Sequence, residues 1–168
     1  PPAPPVVTGT TPTNDATPTW TWTPGGGGNG MYRYDLNNTG VWTETVATTF
    51  TPPAPLINGT HRLTVQERDA AGNWSVDSFF DIFVDAAPPS APVVTGTASP
   101  TNDVTPTWTW TSGGGGIGTY RYALDRAKAD WVETTETAYT PVDPLGEGER
   151  VLAVQERDEA GNWSESGT

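Results

Sequence analysis

Over the first 85 residues, apolar and polar positions alternate in short runs that Gly, Pro or Asn interrupts every few residues. In "TWTWT" (residues 19–23), Trp20 and Trp22 share one face and the threonines the other. "MYRY" sets Tyr32 and Tyr34 against Arg33, and "HRLTVQE" gives Leu63 and Val65 a common side. A period of two over so few residues predicts strands, here over 5–10, 17–23, 31–37, 41–46, 48–52, 61–68 and 78–84.

The pattern then repeats. "PTNDATPTWTWT" (residues 12–23) returns as "PTNDVTPTWTWT" (residues 100–111), and "YRY" recurs at Tyr120. "VQERDAAGNWS" (residues 65–75) returns as "VQERDEAGNWS" (residues 154–164), with Ala70 replaced by Glu159. A period near 88 residues exceeds that of most solenoids and suits a small β-sandwich. The chain is therefore all-β, with two tandem immunoglobulin-like sandwiches of about seven strands each, residues 1–85 and 86–168. The second has no counterpart of "SFFDIFVD" (residues 78–85) and so lacks its last strand. Prolines Pro88, Pro89 and Pro92 in the joining segment fix φ and remove donors, which predicts a short, semi-rigid linker.

These segments resemble the tandem bacterial immunoglobulin-like repeats of large surface proteins and adhesins. The markers are "TNDxTPT", the spacing "LxxGxxxLxVxxxDxAGNxS" and the closing "VDxxPPxxP", and they run through nearly all of both copies. The resemblance implies stalk or spacer modules on the bacterial cell surface, with calcium bound in some relatives. The paired aromatics "WTW" and "YRY" depart from the simpler aliphatic strands expected of such repeats.

Composition narrows the chemistry. Among 168 residues there is no Cys, which excludes disulfides, thiol catalysis and Cys-based metal sites. The net charge is −12: three basic against eight acidic residues through Asp85, and five against twelve after it. Such a surface repels nucleic acid and anionic membranes, and no apolar run approaches membrane-spanning length. The opening "PPAPPVV" reads as the interior of a longer protein. The single histidine, His61, aligns with Arg150, and no Ser/His/Asp order or phosphate loop accompanies it, so the chain reads as non-catalytic. "GGGG" at residues 25–28 and 113–116 reads as a flexible loop between the second and third strands.

Three candidate sites remain. Asp69, Gly72 and Asn73 suit a tight turn, with Trp74 capping the core. By topology, Asp15 and Asp85 of one repeat and Asp158, Glu159 and Asn162 of the next stand at module poles, where calcium would take six to eight oxygens at roughly 2.3–2.6 Å. The aromatics Trp20, Trp22, Tyr32 and Tyr34, with Trp108, Trp110, Tyr120 and Tyr122, form either the core or a face for a surface glycan or protein ligand. Glu67 and Glu156 point inward by strand parity and are expected at partly solvated strand ends. The function these readings favour is an extracellular spacer whose partners are neighbouring repeats. The alternatives are a carbohydrate- or protein-binding module, or a filament subunit assembled by strand exchange.

Overall fold

The computed structural model describes residues 1–125 and 130–168. The chain divides into two compact units, Pro1–Ala86 and Ala87–Thr168. Thirteen strands form among the described residues, and no helix.

In the first unit, β1 (Val6–Thr8), β2 (Trp20–Thr23) and β5 (Thr49–Phe50) make a three-stranded sheet in the order β1-β2-β5. The strands β3 (Met31–Leu36), β4 (Thr43–Thr45), β6 (Gly59–Arg68) and β7 (Ser78–Val84) make a four-stranded one, ordered β4-β3-β6-β7. All neighbours are antiparallel. All seven predicted strands are present: the first five are shorter at their ends, β6 begins two residues earlier than expected, and β7 matches its expected range.

Alternation builds the core between the two sheets. Val7, Trp20 and Trp22 from one meet Tyr32, Leu63, Val65, Ile82 and Val84 from the other. Trp20 and Leu63 are wholly buried, and the Trp20 indole N–H donates to the Phe80 carbonyl at 3.0 Å, so its one polar atom is satisfied.

The second unit repeats the plan. Its sheets are β12-β9-β8, from β8 (Val93–Gly96), β9 (Trp108–Thr111) and β12 (Ala138–Tyr139), and β11-β10-β13, from β10 (Thr119–Leu124), β11 (Val132–Thr134) and β13 (Leu152–Arg157). Trp110, Tyr120, Leu152 and Val154 form its buried centre. No seventh strand forms among its described residues. Where the first unit has β7, Gly167 makes only an isolated bridge to β13, exchanging two backbone hydrogen bonds of 2.9 and 2.8 Å with Val154.

Two contacts define the poles of the first unit. Thr13 bridges Val84 in parallel and accepts from the Asp85 amide at 2.9 Å, so the "PTND" segment lies where β7 ends. At the opposite pole the Pro1 ammonium lies 3.7 Å from Asp69, in the turn between β6 and β7.

Candidate functional site

The stretch preserved between the repeats, "VQERDxAGNWS", does three jobs at once. Its middle is a turn closed by one carboxylate. Asp69 Oδ1 accepts from the amides of Ala71 (2.9 Å) and Asn73 (2.8 Å), and Oδ2 from the Asn73 side-chain amide at 3.0 Å. These bonds, led by the Asn73 side chain and then its backbone amide, hold the Asp69 carboxyl below the usual carboxylate range. Asp158 closes the same frame on Gly161 and Asn162, with bonds of 2.8 to 2.9 Å. Gly72 and Gly161 carry φ of 91° and 99° in these turns, which is why neither position holds another residue. The one variable residue, Ala70 or Glu159, is exposed at the tip and takes part in none of these bonds.

The residues after the turn build a ladder on the outer face of the four-stranded sheet. The Arg33 guanidinium lies between two indoles, 4.5 Å from the Trp42 ring and 4.5 Å from Trp74. Arg68 stacks on Trp74 at 5.6 Å, and Arg33 Nε donates to Gln66 Oε1 at 2.6 Å. The second unit repeats the stack, with Arg121 at 4.8 Å from Trp131 and 4.4 Å from Trp163 and its Nε on Gln155 at 2.7 Å. Burial lowers the affinity of the Arg121 guanidinium for its proton, against a smaller opposite pull from Glu133. Trp74 therefore does not cap the core as expected: it stands outside, clamping an arginine. Each cation–π contact of this kind contributes about 0.5–2 kcal/mol, depending on desolvation.

The third job is internal. Glu67 and Glu156 are 2% and 1% exposed, not partly solvated as strand-end residues would be. The glycine loops account for the difference. Gly25 donates its amide to Glu67 Oε2 at 3.2 Å, and the Tyr32 hydroxyl donates to the same carboxylate. Burial first, and the Glu67 charge second, push the Tyr32 hydroxyl above its ordinary range. In the second unit Gly118 donates to Glu156 Oε1 at 3.2 Å and the Ser112 hydroxyl to Oε2 at 2.6 Å. A Cβ on Gly28 would lie 2.0 Å from Glu67 Oε1, and one on Gly116 2.1 Å from Glu156 Cδ. The loop read as flexible is thus a close-fitting clasp around a buried carboxylate, and its last glycine, Gly28 in one copy and Gly116 in the other, is required for space.

The fold, the repeat and these motifs now meet independent comparisons. Residues 7–86 match the family model described as the bacterial Ig-like domain. That match spans most of the first unit. The second repeats its motifs, strand register, clasp and ladder. Among solved structures, the FN1-FN3 domains of chicken CNTN1 are similar, with 18% identity over all of this chain and a TM-score of 0.55; the chain spans 66% of the length of that structure. The fibronectin(III)-like modules of Clostridium thermocellum CbhA match at 15% identity and a TM-score of 0.52, covering 96% of this chain and 90% of that one. Both likenesses are of fold. No curated protein matches the chain.

Within each Ig-like domain the predicted site residues fall into place separately. The aromatics form the core rather than an open ligand face: Trp20, Trp22 and Tyr32 are buried in the first domain, as are Trp110 and Tyr120 in the second. Tyr34, Trp108 and Tyr122 are half-buried and packed against those clusters. The rings cover one another, with Trp22 edge-on to Tyr32 at 6.0 Å and Trp110 to Tyr120 at 6.1 Å, leaving no stack of open faces for a sugar ring. Asp15 accepts from the Thr17 amide and hydroxyl at 2.8 and 3.1 Å, at the pole where β7 ends and Asp85 follows it. Asp158 and Asn162 are the turn partners described above, and Glu159 is the exposed tip. Of the linker prolines, Pro92 is buried, Pro89 half-buried and Pro88 exposed. Among the described residues, no group of three or more His, Cys, Asp or Glu is gathered closely enough to hold a metal ion.

Sequence reasoning missed the ladder and the clasp. Parity had set Arg33 on the outer face, which was a signal. Its two tryptophans come from segments far apart in sequence, and only the fold brings them together.

Proposed function

We propose that the two Ig-like domains are a non-catalytic spacer segment of an extracellular bacterial surface or adhesin-like protein, carrying a distal domain away from the cell. The observation that carries this reading is that each domain directs its chemistry-bearing side chains inward or onto itself. The buried glutamates hold glycine loops, the outer arginines lie on tryptophans, and the turn carboxylates close their own turns. Such side chains resist local opening, and resistance to opening is what a load-bearing link requires. Neighbouring repeats of the same chain are the natural partners.

Pulling the chain from its two ends tests this. A spacer gives two separate unfolding events, each releasing about 80 residues at roughly 3.3–3.6 Å per residue. Extension without discrete events rules the spacer reading out. The same material settles whether calcium belongs to it through Asp15, Asp85, Asp158, Glu159 and Asn162. A melting midpoint higher with calcium than with EDTA supports a bound cation, and equal midpoints remove it.

A further inference from the structure

Two of the chain's eight asparagines, Asn29 and Asn58, stand directly before a glycine, and both belong to the first domain. In the second domain those places hold Ile117 before Gly118 and Glu147 before Gly148. Asparagine before glycine carries a reaction of its own, because no Cβ on the next residue keeps its amide nitrogen away from the side-chain carbonyl carbon. The nitrogen attacks that carbon and gives up its proton. The bond from the carbon to the side-chain nitrogen breaks, and that nitrogen leaves as ammonia with the proton the backbone gave up. Water then opens the cyclic imide at either carbonyl, which gives an aspartyl or an isoaspartyl link. Water is the one co-reactant, and nothing is oxidised or reduced.

The structure separates the two sites at the attacking nitrogen. Gly59 is the first residue of β6 and pairs with Val84, so its backbone is held in a sheet. Gly30 lies just before β3, is exposed, and has φ of 79° with nothing within 4 Å of the place a Cβ would take. Among the described residues its amide donates to nothing, whereas Gly118 in the same place donates to Glu156 Oε1 at 3.2 Å. The first domain therefore sets a free amide beside its asparagine.

The carbonyl carbons are matched more closely. Asn29 Oδ1 accepts from the Met31 amide at 3.0 Å, and Asn58 Oδ1 from the Ala86 amide at 3.1 Å. Each bond polarises its carbonyl and stands where negative charge gathers as the nitrogen adds. The leaving nitrogen of Asn29 has a single long bond, 3.3 Å, to the Asp69 carbonyl. The Asn29 backbone is meanwhile fixed by its own amide on the Arg68 carbonyl at 2.8 Å, so the residue is held in place while its side chain reacts. With the electrophiles alike, the nucleophile decides.

Asn29 follows the glycine loop that clasps Glu67, and its side chain ties that loop to the turn between β6 and β7. A carboxylate in its place has no proton to offer the Asp69 carbonyl. An isoaspartyl link also lengthens the backbone by one carbon directly after Gly28, where an added Cβ would already overlap the Glu67 carboxylate. We propose that Asn29 and Gly30 form a self-modifying site: the folded first domain promotes imide formation there, and the product loosens the Glu67 clasp. The second domain, with Ile117 in that place, keeps its clasp.

Ageing the intact chain at mildly alkaline pH, folded and in urea, tests the reaction. Peptide mapping reads the mass gained when water replaces ammonia, and the isoaspartyl links, at Asn29 and Asn58. In the folded chain the ratio of modification at Asn29 to that at Asn58 is several-fold higher than in urea. Equal ratios, or a folded chain in which Asn58 leads, overturn the proposal. Calorimetry reads the consequence. Ageing lowers the first domain's melting midpoint and leaves the second's in place, and Asn29→Gln, whose longer side chain does not close the same ring, protects the first. An aged wild type that melts as the fresh chain does, or a variant that falls as far as the wild type, overturns the loosening.

Discussion

Glu67 joins strand, loop and ring in one contact. Glutamine in its place keeps the shape and loses the charge that two donors share, so Glu67→Gln is expected to cost the first domain about 1–3 kcal/mol in a denaturant titration. Gly28→Ala and Gly30→Ala separate space from conformation. At Gly28 the added carbon would overlap the buried carboxylate, while at Gly30 nothing lies within 4 Å and only the φ of 79° opposes it. Gly30→Ala should cost about 1 kcal/mol, and Gly28→Ala clearly more. Tyr32 supplies the pH signature. Its folded-state ionisation is raised, so its contribution is complete below the unfolded value of about 10 and is lost as pH rises beyond it. Alkaline unfolding of Tyr32→Phe, followed by fluorescence, should be less steep in that range than that of the wild type.

At the scale of strands and loops, the period-two pattern was enough to place all seven strands of the first domain and to pair the residues that share a face in three of them, because alternation is a local property. Parity also put Glu67 inside and Arg33 outside correctly. What it could not supply was the partner each would find. The glutamate's donors belong to a loop whose string of glycines looks locally like slack chain, and its tight course depends on a carboxylate some 40 residues away. The eight tryptophans illustrate the same limit. Trp20, Trp22, Trp108 and Trp110 lie on alternating strands and were legible as core. Trp42, Trp74, Trp131 and Trp163 sit next to turns, where periodicity says nothing, and they turned out to hold arginines on the surface. The ladder should behave as one unit: Trp74→Ala removes contacts to both Arg33 and Arg68 and is expected to cost about 1–3 kcal/mol. Adding Arg33→Ala should then cost less than Arg33→Ala does alone, which a double-mutant cycle measures.

Over the whole molecule, each repeat owns a complete set of these devices: one core, one clasp, one ladder, one turn. Damage should therefore stay within the domain that carries it. Glu67→Gln is expected to lower one thermal transition and Glu156→Gln the other, with the double variant lowering both by the sum, since independent sites add to within about 0.5 kcal/mol. A calorimetric scan that shows both transitions moving with either substitution would mean the two domains unfold together. The acidic balance of −12 is distributed over both. The first domain's three basic side chains, Arg33, Arg62 and Arg68, nevertheless share one outer sheet face, stacked on Trp42, Trp74 and Phe79.

The turn between β6 and β7 has a use of its own for protein engineering. Its geometry is enforced from inside, by Asp69 gripping residues 71 and 73, so the side chain at position 70 answers to nothing but solvent. The two natural copies already carry alanine and glutamate there. A cysteine for dye attachment, or a displayed peptide graft, belongs at Ala70 or Glu159. In a chain that has no other thiol, the label would report from a known corner of a known domain.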